Sequence, residues 1–283
     1  MSKQVFGLFQ YQQLAGRKMP FFLVLAYMFY VSVCFAGKLP TIESLKKRTV
    51  LDDYYSNVIF GYNIINDTQA FASRYVGNKL NCTDCHRNAG TVAEQLPLNI
   101  AGVYPQWQSK NAQLTELSLK IRECFVFSQN GIMPPANAPE ILAIKTYINY
   151  LSKNQIVGVS PIGRGVTVLA NTGSDPNPAN GRMVYQQFCV SCHGVEGKGV
   201  SESPPVWGMG SYSKGSGIND IQIAASFIKA KMSGENDQKL SVQQALDVSA
   251  FIKKQIRPAD PKKSKIPKLL QDLGAALGLI KRQ

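Results

Sequence analysis

Cys82-Thr83-Asp84-Cys85-His86 and Cys189-Val190-Ser191-Cys192-His193 place two thiols and an imidazole in the same order at two points of the chain. Cys-x-x-Cys-His is the attachment signature of c-type haem: the thiols form thioethers with the two vinyl groups, and the histidine becomes the proximal iron ligand. One short helical turn brings both sulfurs to one porphyrin edge and swings the imidazole beneath the iron. The two pentapeptides use four of the six cysteines and both histidines. A zinc ribbon needs its Cys-x-x-Cys knuckles about 12–20 residues apart, whereas Cys85 and Cys189 are 104 positions apart. The expectation is two covalently bound c-type haems, attached at Cys82, Cys85 and His86 and at Cys189, Cys192 and His193.

What holds the other face of each iron decides between an electron carrier and an enzyme. Both histidines are spent, so sulfur is the leading distal donor type, followed by lysine. For the first haem, Cys124 lies 38 residues beyond His86 and Met133 lies 47 beyond it. Met133-Pro134 resembles the Met-Pro of electron-transfer cytochromes. A lone cysteine on an apolar helix face is more often core filler. Cys124, however, is the one cysteine left in an exported chain after haem attachment and leader removal, with no disulfide partner. Spacing leaves both residues open. For the second haem, Met183 precedes the attachment site and Met209 follows His193 by only 16 residues, too few to cross the haem edge. Met232, 39 beyond His193, nearly repeats the Cys124 spacing, and Lys231 beside it is the alternative donor.

These side chains need a scaffold that repeats. Helical patterning runs through 51–76 (Val58, Ile59, Tyr62, Ile65), near 113–128 (Leu117, Ile121, Cys124, Phe125) and through 139–152 (Ile141, Ile144, Ile148, Leu151). In the second half a helix opens at Asn180-Gly181 and carries Val184 and Phe188 to Cys189. Others follow at 219–232 and 241–256. The reading is all-α: two class I cytochrome c-like domains in tandem, 38–157 with the active site and 181–257 as electron exit. Residues 158–180, rich in Gly, Pro, Asn and Ser, join them.

Mean hydropathy of −0.11 and 45% hydrophobic residues suit a globular body with one apolar segment. Lys3, Arg17 and Lys18 precede an apolar run from Phe21 to Ala36, so residues 1–37 read as a signal peptide or a membrane anchor. Either places the body across a membrane, in a bacterial periplasm, where haem is attached. The net charge of +13 suggests nucleic acid, an anionic membrane, or anionic substrates and acidic redox proteins. No nucleic-acid motif accompanies it, and export removes that class. Residues 258–283 form a basic amphipathic tail with Leu269, Leu270, Leu273, Leu277 and Ile280 on one stripe, suited to packing on the body or docking on a membrane or redox partner.

The residues assembled in this way resemble the dihaem thiosulfate dehydrogenases, which join two thiosulfates into tetrathionate. The resemblance is carried by Val76-Gly77-Asn78-Lys79-Leu80-Asn81-Cys82, Val103-Tyr104-Pro105-Gln106-Trp107 and Glu123-Cys124-Phe125 with Ser128, Asn130 and Gly131. In the second half it is carried by Val206-Trp207-Gly208 and Ala225-Ser226-Phe227-Ile228-Lys229-Ala230-Lys231-Met232. It covers most of 55–257. It implies a His86/Cys124 first haem at the substrate site and a His193/Met232 second haem passing electrons to an external cytochrome acceptor. In that family the cysteine sulfur bonds transiently to substrate sulfur. It also implies cations around Cys124, here Lys110, Lys120 and Arg122, with Ser128 one turn on. Lys110 and Lys120 stand where the family usually has arginine, which keeps charge but loses the bidentate fork.

Overall fold

The computed structural model describes residues 42–46, 52–92, 96–108, 113–165, 169–170, 172–201, 203–232 and 240–262. The leader, Lys110 and all of the tail beyond Lys262 lie outside them. Among the described residues no helix is long and apolar enough to cross a membrane.

The first half comprises α1 (Ile42–Lys46), α2 (Asp53–Asn66), α3 (Thr68–Phe71), α4 (Leu117–Phe127) and α5 (Pro139–Leu151). Asp52 starts α2 by accepting the Tyr55 N–H on Oδ1 at 2.9 Å, satisfying one of the orphan donors of the first turn. Pro139 starts α5, where its missing N–H costs nothing. The apolar stripe of α5, Ile141, Ile144, Ile148 and Leu151, is buried against Val58, Ile64 and Ile65 of α2. The two helices touch backbone to backbone at Gly61. A Cβ there would sit 2.2 Å from the Ala143 carbonyl oxygen.

The second half repeats the arrangement with α6 (Pro178–Phe188), α7 (Val190–His193), α8 (Ile221–Lys231) and α9 (Val242–Lys253). Gly181 of α6 plays the part of Gly61: a Cβ would meet the Asp247 carbonyl oxygen of α9 at 1.9 Å. Tyr185, Trp207 and Phe251 stack beside that crossing with ring centroids 4.8–5.8 Å apart. Two haem-motif halves with the same glycine-dependent helix crossing are two cytochrome domains of one plan.

Two local expectations change. α6 begins at Pro178, ahead of Asn180-Gly181, because Asn177 caps it by accepting from the Ala179 N–H at 2.8 Å. The helix expected from 113 begins at Leu117. Residues 113–115 instead form β2 (Gln113–Thr115), paired antiparallel with β1 (Gln106–Gln108) so that Trp107 faces Leu114. Among the described residues that hairpin is the one sheet in an otherwise helical fold.

Candidate haem cavities and anion cleft

Both pentapeptides fold as a single turn. His86 N–H donates to the Cys82 carbonyl at 2.8 Å, and His193 N–H donates to the Cys189 carbonyl at 2.9 Å. In the first, Thr68 anchors the turn. Its fully buried hydroxyl accepts from the Cys82 N–H at 3.0 Å and donates to the Ile64 carbonyl at 2.9 Å. Each imidazole is then aimed by its own Nδ1, which meets the Leu96 carbonyl at 2.7 Å in His86 and the Pro204 carbonyl at 2.9 Å in His193. A carbonyl only accepts, so Nδ1 carries the proton and Nε2 keeps its lone pair for a metal. Burial lowers the His86 pKa to about 4, which keeps it neutral, as a ligand must be.

Each imidazole lines a cavity. The first, some 650 Å³ counting its open mouth, is walled by Cys82, Cys85, His86, Cys124, Phe125 and Ser128, among others. The second, some 1050 Å³ on the same measure, is walled by Cys189, Cys192, His193, Phe227, Met232 and Tyr212, among others. Both are clefts open to solvent, and their linings are predominantly apolar around one imidazole and two thiols, as in most cofactor sites. The residues therefore fit covalent haem in each cavity. Among the described residues no three of His, Cys, Asp and Glu gather around one point. The two motifs line separate cavities.

The distal candidates separate by position. Cys124 lines the first cavity together with Cys82, Cys85 and His86. Met133 does not line it; exposure does not separate the candidates, since Met133 and Met232 are both 44% exposed. The Met133 segment is pinned outward, with Arg122 Nε donating to the Pro134 carbonyl at 2.7 Å and the Ile132 N–H to the Tyr75 carbonyl at 3.1 Å. Met232 lines the second cavity. Lys231 is buried with its amine 4.8 Å from the Phe227 ring centroid, and desolvation lowers its pKa to about 8.

A polar cleft of some 490 Å³ adjoins the first cavity and shares Cys124 and Ser128 with it. Lys120, Cys124 and Ser128 recur every four residues on α4 and the residue after it, so they stand on one helix face. Arg122 is off that face, occupied with Pro134, and does not line the cleft. Burial raises the Cys124 pKa and the Lys120 charge pulls it down, so a thiolate there depends on cationic neighbours or on iron.

Residues 178–255 match the cytochrome c family model. The chain is 37% identical over 217 residues to a thiosulfate dehydrogenase of Thiomonas intermedia, covering 75% of this chain and 69% of that one. It is 34% identical over 208 residues to a thiosulfate dehydrogenase of Stutzerimonas stutzeri, covering 71% and 68%. The chain belongs to the thiosulfate dehydrogenase family. The fold is likewise similar to that of the thiosulfate dehydrogenase TsdBA of Marichromatium purpuratum, solved in its as-isolated form. The TM-score is 0.74 at 26% identity, over 88% of this chain and 55% of that longer one.

For a thiosulfate dehydrogenase-family chain, the cleft holds residues that sequence patterning did not single out. Gln108 comes from β1, Phe127 from α4, and Gly215 and Gly217 from the second domain, beside Glu123 of the cysteine segment. Ser213 fixes that loop to the end of α4, donating to the Phe127 carbonyl from both N–H (3.1 Å) and hydroxyl (2.9 Å). Lys262 reaches the cleft wall too, with Nζ 3.9 Å from Glu123 Oε1 and 5.2 Å from the Phe127 ring centroid. No periodicity connects residues 215, 217 and 262 to Cys124. Only the docking of one domain on the other brings them there.

Proposed function

We propose that this chain is an exported dihaem enzyme that oxidises two thiosulfates to tetrathionate at the first haem. The second haem passes the two electrons to an external cytochrome acceptor. His86 and Cys124 would hold the iron in the first cavity and His193 and Met232 in the second, with Lys231 as alternative to Met232. The observation that carries the reading is the wall shared by cavity and cleft: Cys124 and Ser128 line both, and Lys120 stands in the cleft one turn away. Sulfur able to meet iron on one side and an anion on the other suits this reaction. A His/Met electron carrier built on Met133 has no such support, since Met133 faces outward.

The haems supply acceptors for two single electrons. The protein brings together two dianions that repel each other. Lys120 offsets charge on the incoming sulfonate group, and the Ser128 hydroxyl offers it a hydrogen bond. Cys124 thiolate and the sulfane sulfur of one thiosulfate form an S–S bond as two electrons leave. The sulfane sulfur of a second thiosulfate then attacks the outer sulfur of that adduct, completing tetrathionate and returning the thiolate. No proton is consumed: Cys124 enters as a thiolate, leaves the adduct as a thiolate, and the Lys120 charge favours that form.

Cys124→Gly tests this. The variant should keep both haems but lose the thiolate-type low-spin ferric signal in electron paramagnetic resonance, together with thiosulfate-dependent reduction of an acceptor cytochrome. Unchanged spectrum and turnover would sink the proposal.

A further inference from the structure

Arg257, just beyond α9, is 2% exposed and is the largest fully buried side chain among the described residues. Its Nη2 is occupied, donating to the Ile252 carbonyl at 2.9 Å and the Val206 carbonyl at 3.3 Å. Nε and Nη1, which carry three of the five N–H groups of a guanidinium, have no hydrogen-bond partner among the described residues. No carboxylate pairs with it there either. A buried guanidinium is always charged, and a buried charge without a counter-charge is among the costliest arrangements a protein can hold. An anion is therefore missing from the picture.

The surroundings indicate which one. The guanidinium carbon lies 4.1 Å from the centroid of the Tyr212 ring. Tyr212, Val206 and Ile252, the residues that Arg257 touches, all line the second cavity. Two thioethers and the His193 ligand would fix a haem in that cavity, and its propionates are the anions such a haem brings. We infer that Arg257, braced by Tyr212, is a propionate-binding and potential-setting residue of the second haem. This rests on the reading that the second cavity holds haem on His193, and it is independent of what substrate the first site takes.

The sign of the effect follows. A cation paired with the propionate cancels negative charge beside the iron and so favours the reduced state. Its loss leaves the carboxylate uncompensated and favours ferric iron, lowering the midpoint potential. The experiment is a spectroelectrochemical titration of the holoprotein at pH 7.5, using chemical mediators and no thiosulfate. In Arg257→Gln the second haem's midpoint should fall well beyond any movement of the first. In Arg257→Lys, which keeps the charge without the planar fork, it should fall less. Retention of two haems per chain is checked by the pyridine haemochrome assay. An unchanged second-haem midpoint in a two-haem Arg257→Gln protein would overturn the inference.

Should the variants lose haem or fold, the wild-type holoprotein crystal structure decides. A propionate oxygen on Nε or Nη1 supports the assignment, and a solvent anion or carbonyls alone at those nitrogens overturns it. An enzyme inactive with thiosulfate that still shows the shift would overturn the substrate reading and leave this one standing. A wild-type chain with one haem would overturn the haem reading and this one with it.

Discussion

At the scale of single residues, the work of α4 divides by face. Lys120 stands one turn before Cys124 in the cleft, while Arg122 spends its guanidinium on the Pro134 carbonyl. Lys120→Ala should therefore raise the KM for thiosulfate by about tenfold, the scale of one charged hydrogen bond. Lys120→Arg should leave KM at or below that of the parent, since it restores the fork that binds an oxyanion. Steady-state kinetics on the dihaem proteins checks both, and Arg122→Gln is expected to move KM little.

At the scale of elements, each domain rests on a helix crossing that admits no side chain. Gly181→Ala would drive a methyl group into the Asp247 carbonyl, and Gly61→Ala into that of Ala143. Each should cost about 1–3 kcal/mol, the range for overpacking a tight contact, and lower the thermal midpoint followed by far-ultraviolet circular dichroism. A midpoint within error of the parent would mean that the helices move apart freely. These crossings join elements whose existence was legible in sequence, because α2, α5, α8 and α9 carry apolar stripes of helical period. The attachment turns were legible for a stronger reason: haem chemistry dictates both spacing and residue type. The β1–β2 hairpin was not. Each strand is three residues long and its one large apolar residue, Trp107 or Leu114, is exposed, at 59% and 63%, so no buried apolar face marks the strands. The outward setting of Met133 was equally hidden, since it depends on Arg122 and Tyr75 holding residues 132–134 by their backbone.

At the scale of the whole molecule, the two domains form one functional unit because their walls are shared. Leu80 and Cys85 line both haem cavities, so only a thin wall divides them. Asn78 ties the domains beside that wall, its side-chain amide donating to the Ser128 carbonyl at 2.7 Å and to the Ser211 carbonyl at 3.2 Å. The anion cleft is a joint structure as well. The chain leaves the second domain, passes Pro258, whose carbonyl accepts the Lys214 N–H at 2.9 Å, and brings Lys262 to Glu123 beside Cys124. Glu123 is a carboxylate in the wall of the cleft proposed to take thiosulfate, so a cation against it should matter to substrate binding. The Lys262 side chain is 47% exposed and the pair is long at 3.9 Å, so solvent screening keeps the effect within about 1 kcal/mol. Lys262→Ala should accordingly raise the thiosulfate KM by no more than about fivefold, with kcat, haem content and thermal midpoint nearly unchanged. Lys262→Arg should recover the parent KM. Raised salt should narrow the gap between parent and Lys262→Ala, as expected for a partly exposed charge. If Lys262→Ala binds thiosulfate as the parent does at low salt, the segment after Pro258 only packs against the first domain, and the cleft's charge is set within α4.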